Sequence, residues 1–166
     1  MVRVIQLIVD NTSGVLSRIS GLFSRRGYNI ESITAGITAD PRYTRITIVT
    51  SGDENILEQI EKQVGKLIDV RDIRVLDPED SVYRELVLIK VKVGEEKRQA
   101  LITVCDVFRS KIIDITKDSM IIELTGTQSK VGAFIELLSD YEILELARTG
   151  IAGLRRGSDG VIHLND

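Results

Sequence analysis

The sequence predicts an α+β protein built from two tandem units that share the element order βαββαβ. Two observations support this prediction. The spacing of apolar residues switches between a strand period of two and a helix period of 3.6, and the same succession of periods occurs twice in the 166 residues. A polar stretch at 77–81, which contains one of only two prolines, separates the halves. This element order is the ferredoxin-like arrangement, an antiparallel four-stranded sheet with two helices on one face.

The first unit begins with a strand-like pattern over residues 2–9. Residues 10–14 form a polar turn rich in helix-capping residues, and Gly27 stands where a helix C-cap is expected. The remaining elements are a helix with apolar residues Val15, Leu16, Ile19, Leu22 and Phe23, strands over 29–39 and 42–51 around Asp40-Pro41, a helix marked by Ile56, Leu57, Ile60, Val64 and Leu67, and a strand over 68–76.

The second unit repeats this order. Its elements are a strand over 85–93, a helix marked by Leu101, Ile102, Cys105 and Phe108, strands over 112–116 and 120–125, a helix marked by Val131, Phe134, Leu137 and Leu138, and a strand over 141–148. We therefore predict domains at 1–77 and 84–166, joined by a linker at 78–83. The glycine-containing tail from Gly150 has weak periodicity, and we expect its ordering to depend on a partner.

The strands also predict association through sheets. In each unit the helices cover one face of the sheet, and the other face is expected to remain uncovered. Several strands nevertheless carry consecutive apolar residues, such as Ile121-Ile122, where a half-exposed strand would alternate apolar with polar residues.

Composition excludes several classes of function. The net charge of −3 and the pI of about 5.3 provide no basic field for nucleic acid. The RNA-recognition fold has the same element order, but these strands lack its stacking aromatic residues. The apolar run at 4–9 is far shorter than the roughly 20 residues of a membrane span, and no signal peptide is seen. The single cysteine, Cys105, is interpreted as a buried apolar residue in a reducing cytoplasm.

The titratable residues do not form a recognisable catalytic site. The only histidine, His163, is the fourth residue from the C-terminus, where a general base would be poorly held. No Cys/His cluster has zinc-ligand spacing, and acidic residues such as Glu54, Glu58 and Glu61 occupy the solvent-facing side of a predicted helix. We therefore predict a non-catalytic protein without a metal site. Ferredoxin-like folds can host enzymes, so an enzyme remains the weaker alternative.

The turn before the first helix is the best candidate for a binding site. A helix N-terminus presents unpaired backbone N–H groups, so the amides near Gly14, Val15 and Leu16 could receive a carboxylate. The side-chain oxygen of Asn11 could accept a hydrogen bond from an ammonium group, which together would recognise an amino-acid zwitterion. The alternative is structural: Asn11, Thr12 or Ser13 caps the helix and Gly14 eases the turn.

Two long segments resemble a known family. Asn11-Thr12-Ser13-Gly14-Val15-Leu16-Ser17-Arg18 and the segment from Gly21 to Ser32, GLFSRRGYNIES, resemble the ACT domain of acetohydroxyacid (acetolactate) synthase small subunits. The similarity continues through Asp40-Pro41 and LEQIEKQ at 57–63. In the second unit, Ile112-Ile113-Asp114-Ile115-Thr116 and Leu124-Thr125-Gly126-Thr127 are similar to the C-terminal domain of that family. The similarity covers nearly the whole chain.

This resemblance implies a regulatory subunit that binds a branched-chain amino acid, usually valine, between ACT domains paired edge to edge in a homodimer. The implied effector residues are Asn11, Gly14, Val15 and Leu16 in the turn, with Asn29 and Ile30 on the facing strand of the paired domain. Asn29 could instead be a simple turn residue at the entry of its strand.

The resemblance also implies a catalytic partner. The second domain would bind and activate the large catalytic subunit of acetolactate synthase, and valine would inhibit it by feedback in branched-chain amino-acid biosynthesis. Thiamine diphosphate, FAD and Mg are expected on that subunit only, and this chain is expected to hold no cofactor. The alternative is a free-standing amino-acid sensor that regulates an unrelated partner.

Overall fold

The computed structural model of the protein describes residues 1–160 and contains two antiparallel sheets with four α-helices. The elements are β1 (Val2–Asp10), α1 (Val15–Arg26), β2 (Asn29–Ile37), β3 (Tyr43–Ser51), α2 (Glu54–Val64), β4 (Val70–Leu76), β5 (Ser81–Lys92), α3 (Glu95–Val107), β6 (Lys111–Ile115), β7 (Ser119–Gly126), α4 (Gln128–Leu137), a 3₁₀ turn (Leu138–Asp140), β8 (Glu142–Arg148) and β9 (Ala152–Arg155). The strand orders are β2-β3-β1-β4 and β6-β7-β5-β8. The prediction of two tandem ferredoxin-like βαββαβ units is confirmed.

In the first unit, α1 and α2 pack on one face of the sheet. Ile19 and Phe23 of α1 and Ile60 of α2 are buried against Leu7 and Ile48 of the two central strands. The helix ends follow from sequence: the Asp53 side chain accepts a hydrogen bond from the amide of Ile56 at the start of α2. At the C-terminus of α1, Gly27 has φ 66°, and its amide donates to Phe23 and Ser24 carbonyls.

The second unit has its own core between its sheet and α3 and α4. Ile89 and Ile122 of the central strands pack against Leu101, Cys105 and Phe134 of the helices. This burial confirms the interpretation of Cys105 as a core residue. On the opposite face of this sheet, Leu88 is 40% exposed, so its strand alternates buried and exposed positions as a one-sided sheet requires.

The prediction of an uncovered second face is wrong for the first unit. Val4 and Val49 point away from the helices and are buried with Leu76 and Ile151, and Tyr83 packs against this cluster. The covering residues come from both sides of the second unit in the sequence. Hydrophobic periodicity does not predict this packing, because the packing depends on a few residues that are separated in the sequence by a whole domain.

The domain boundaries also differ from the prediction. The first unit comprises residues 1–83 together with the described tail from Gly150, and the second comprises Arg84–Thr149. Residues 81–83 belong to β5, so the predicted linker at 78–83 is partly strand. Within the described part of the tail, Ala152–Arg155 forms β9 and pairs with β5. Gly153 is a position of close packing, since a Cβ there would lie 2.9 Å from Leu76 Cδ1.

Residues 1–160 contain no helix with the length and apolar character of a membrane span.

Candidate functional site

The β1–α1 turn, residues 11–14, presents the start of a helix without a side-chain cap. Gly14 occupies the N-cap position in the left-handed conformation, φ 85° and ψ −10°, and no side chain caps α1 in this part of the structure. The structural alternative, in which Asn11, Thr12 or Ser13 caps the helix, is therefore wrong. The first-turn amides of α1 are not used by a cap, as binding of a carboxylate would require.

Val15 and Leu16 play different roles in this turn. Val15 is 3% exposed and packs in the first core, so its side chain anchors α1 to the sheet and only its amide faces the turn. Leu16 is 48% exposed. An apolar side chain beside free helix amides is a suitable neighbour for an aliphatic ligand that also carries a carboxylate.

Asn11 ties the turn to the β2–β3 connection with both ends of its amide. Its Nδ2 donates to the carbonyl of Pro41 at 2.9 Å, and its Oδ1 accepts from the hydroxyl of Thr44 at 3.1 Å. Its backbone amide donates to the carbonyl of Arg42 at 2.8 Å. Since a carbonyl-type oxygen has two lone pairs, Oδ1 retains the capacity to accept a second hydrogen bond, as the predicted role requires.

Two ion pairs that the sequence did not suggest hold the turn from the side of β4. Arg18 donates to both carboxylate oxygens of Asp69, at 2.6 and 2.9 Å, and Arg71 donates to both oxygens of Asp10, at 2.7 and 2.8 Å. The hydrogen bonds from Arg18 lower the pKa of Asp69. A Cβ on Gly14 would lie 2.9 Å from Arg18 Nη1, so the guanidinium lies directly over the turn.

Asn29 and Ile30 lie at the far end of the same sheet. Asn29 is exposed and donates from Nδ2 to Ser51 Oγ at 3.3 Å, while Ile30 packs partly against the core. Asn29 pairs with Ser51 of β3, whereas Asp10, next to Asn11, pairs with Tyr43 of the same strand. The two positions on β3 are eight residues apart, which is roughly 26 Å at the usual rise of a strand. A single chain therefore brings together the residues of the turn, but not Asn29 and Ile30.

Metal binding and thiol reactivity are two further questions of chemical interest within residues 1–160. Within residues 1–160, no group of three or more His, Cys, Asp or Glu side chains is placed to hold a metal ion. Burial raises the pKa of the Cys105 thiol, which keeps it protonated and unreactive at neutral pH. His163 lies outside the described residues.

Comparison with known proteins identifies both units. Residues 5–72 match the model of the ACT domain of acetohydroxyacid synthase small subunits, and residues 84–157 match that of the small subunit of acetolactate synthase. The chain is 46% identical over 157 residues to a probable acetolactate synthase small subunit of Methanothermobacter thermautotrophicus, covering 94% of each chain. It is 44% identical to the isozyme 3 small subunit of Escherichia coli, covering 95% of this chain and 97% of that one.

A solved structure agrees with these relatives. The crystal structure of the acetolactate synthase small subunit from Thermotoga maritima superposes with a TM-score of 0.88 at 42% identity, covering 96% of this chain and 99% of that chain. Fold and turn together define an ACT-type regulatory protein with a second ferredoxin-like domain. The chain belongs to the family of acetolactate synthase small regulatory subunits. A small subunit implies a large catalytic partner. The cytoplasmic location stays a prediction.

Proposed function

We propose that this chain activates the large catalytic subunit of acetolactate synthase and confers feedback inhibition by valine or another branched-chain amino acid. It performs no turnover itself and binds no cofactor, while thiamine diphosphate, FAD and Mg belong to the large subunit. The observation that carries the proposal is the uncapped N-terminus of α1 at Gly14, in a chain of this family.

The turn matches the chemistry of an amino-acid zwitterion. The first-turn amides of α1 would hold the carboxylate, aided by the positive end of the helix dipole. One lone pair of Asn11 Oδ1 accepts a hydrogen bond from the Thr44 hydroxyl, and the other would accept one from the ammonium group. The exposed Leu16 side chain would contact an aliphatic side chain, which favours a branched-chain amino acid over a charged one.

A second copy of the chain would complete this site. β1 and β2 both run antiparallel to β3, so the two strands end at the same end of β3. Ile37, the last residue of β2, pairs with Thr44 and therefore lies on the side of the sheet where the β1–α1 turn begins. β2 is an edge strand, and two-fold pairing of an edge with its own copy is antiparallel. That pairing would place Asn29 and Ile30 of the second copy near the β1–α1 turn of the first. This geometry supports the homodimer through ACT domains as the effector-binding form.

The second unit is proposed as the contact for the large subunit. Its support is that residues 84–157 match a family named for the small subunit of that enzyme. A free-standing sensor would need the first unit only, so the presence of a second folded core favours a dedicated catalytic partner.

Isothermal titration of valine into the purified chain, with lysine as the control ligand, tests the sensing role. We expect saturable binding of valine alone. Mixing the chain with the large subunit should then raise acetolactate formation, and valine should lower it. Binding without any effect on the large subunit would favour the free-standing sensor, and absence of both binding and activation would refute the proposal.

A glycine pair provides a matched test of the turn. Gly14→Ala imposes a strained left-handed alanine, costing about 1 to 2 kcal/mol, and places its Cβ against Arg18. Gly157→Ala imposes similar strain at φ 88°, where a Cβ meets nothing within 4 Å. We expect Gly14→Ala to weaken valine binding by more than about tenfold, equivalent to 1.4 kcal/mol, and Gly157→Ala to leave it unchanged. Equal effects would exclude the turn as the binding element.

A further inference from the structure

The chain crosses between its two units twice, and the second crossing returns it to the first unit. It leaves the first unit after Tyr83 and re-enters it at Gly150. We refer to residues 150–156 as the return strap. It lies on the face of the first sheet opposite α1 and α2, where Ile151 is buried with Val4, Val49 and Leu76.

Polar contacts fix the return strap along its length. Arg45 of β3 donates to the carbonyl of Gly153 at 2.6 Å and to Gln6 Oε1 at 2.6 Å. At the far end, Arg155 pairs with Asp80 at 2.7 Å, and the amide of Arg156 donates to the carbonyl of Asp80 at 2.8 Å. The strap is therefore held at its middle and its end by defined interactions with the first unit.

The beginning of the strap touches β2, the strand that carries Asn29 and Ile30. Gly150 has φ 85°, and a Cβ there would lie 3.0 Å from both Ser32 Cβ and Thr34 Oγ1. Only glycine fits this backbone conformation and this close approach without strain. A displacement of β2 at its outer edge would therefore be felt directly by Gly150, the first residue after the second unit.

The layer beneath the strap is only partly satisfied. Ser32 Oγ and Gln6 Nε2 are buried and have no hydrogen-bond partner within residues 1–160. Burial also lowers the pKa of Arg45, which is the mark of a charge held at a desolvation cost. Unsatisfied buried polar groups lower the cost of opening a contact, because opening returns them to water. Ile151 therefore holds the return strap on the sheet, while the unsatisfied polar groups beneath the strap favour its release.

We propose that the return strap conveys the state of the effector site from the first unit to the second. An effector bound at the β2 edge shifts Ser32 and Thr34, and this shift moves Gly150. The packing of the return strap on the sheet then changes. The segment directly preceding the strap is β8, so the change enters the second unit at Thr149. This inference rests on the proposed function, since it assumes an effector at the β2 edge.

The test uses the full chain reconstituted with the large subunit and compares Ile151→Ala with Leu154→Ala. Ile151 is 2% exposed and Leu154 is 62% exposed in the same short segment. We expect Ile151→Ala to keep valine affinity by calorimetry and activation of the large subunit without valine. Feedback inhibition should be lost, with the half-inhibiting valine concentration rising at least about tenfold, within the usual range of allosteric coupling. Leu154→Ala should behave as wild type.

Arg45→Met is the second variant, because it removes the donor to Gly153 while keeping an apolar stem of similar length. It should also uncouple binding from inhibition, and hydrogen exchange should show faster exchange of amides 150–156. Wild-type inhibition in variants whose strap amides exchange faster would overturn the strap inference and leave the proposed function intact. Failure of the wild-type chain to bind valine would overturn the strap inference together with the valine-sensing part of the proposed function.

Discussion

The role of Asn11 can be separated from that of its neighbour Thr44 by a double-mutant cycle on valine binding. Thr44→Val is close to isosteric and removes only the hydroxyl that donates to Asn11 Oδ1 at 3.1 Å. Loss of one neutral hydrogen bond costs about 0.5 to 1.5 kcal/mol. If Thr44 positions Asn11 for the effector, valine affinity should fall roughly 2- to 12-fold at 1.4 kcal/mol per decade.

Asn11→Ala removes more than this positioning. If Oδ1 accepts from the effector ammonium group, a charge-assisted hydrogen bond worth about 1.5 to 3 kcal/mol is lost as well. We expect Asn11→Ala to weaken valine binding roughly 10- to 150-fold and the two substitutions to be non-additive, because they share one interaction. Isothermal titration of the four proteins provides the affinities. Thr103→Val, whose hydroxyl donates to the carbonyl of Gln99 in α3, is the control.

The reasoning is refuted if Asn11→Ala weakens binding no more than Thr44→Val does. Asn11 would then act only as a clamp between the β1–α1 turn and the carbonyl of Pro41. Feedback inhibition in the reconstituted enzyme should follow the same order as affinity, and full inhibition with Asn11→Ala would contradict the proposed contact.

Two further predictions concern titration and reactivity. The hydrogen bonds from Arg18 depress the pKa of Asp69, so this pair stabilises the fold above the ordinary carboxyl pKa, about 3.9, and the contribution disappears as the pH falls through the depressed value. Urea unfolding should therefore show Asp69→Asn less stable than wild type at pH 7, with the gap narrowing below about pH 4; a gap that widens on acidification would contradict this sign. Cys105 is 1% exposed and its pKa is raised by burial, so a thiol reagent at pH 8 should modify it slowly in the native chain and rapidly in urea. Rapid native modification would place the thiol at the surface.

The helices and their buried faces could be predicted from sequence because their signals are local. Ile19, Leu22 and Phe23 recur at helical spacing and are buried together. The limits of this reasoning appear at the end of α2. Apolar spacing predicts Leu67 in the helix and Ile68 in the next strand, but the helix ends at Val64 and β4 begins at Val70. Backbone hydrogen bonds between Leu67 and Val64 and between Val70 and Leu67 close a turn there, which apolar spacing cannot reveal.

The candidate site could be predicted in part. The position of the turn follows from a polar segment between a strand and a helix, so Gly14 and Asn11 were identified from their neighbours. The ion pair of Arg18 with Asp69 could not be identified, since it joins residues 51 positions apart whose charges are ordinary surface charges in sequence. The proposed contact of Asn29 with the turn of a second copy does not follow from the pattern of one chain, because within one chain this fold separates the two along β3.

The burial of Ile151 against Val4 has a consequence for synthesis of the chain. Val4 of β1 is covered by a residue that is synthesised much later, because the whole second unit is made in between. Until then Val4 and Val49 remain open to water on the nascent first sheet. Long-range contacts of this kind form late and leave apolar surface exposed to aggregation in the interval. A chain arrested before Gly150 should therefore be a stronger chaperone substrate than a chain that includes residues 150–156.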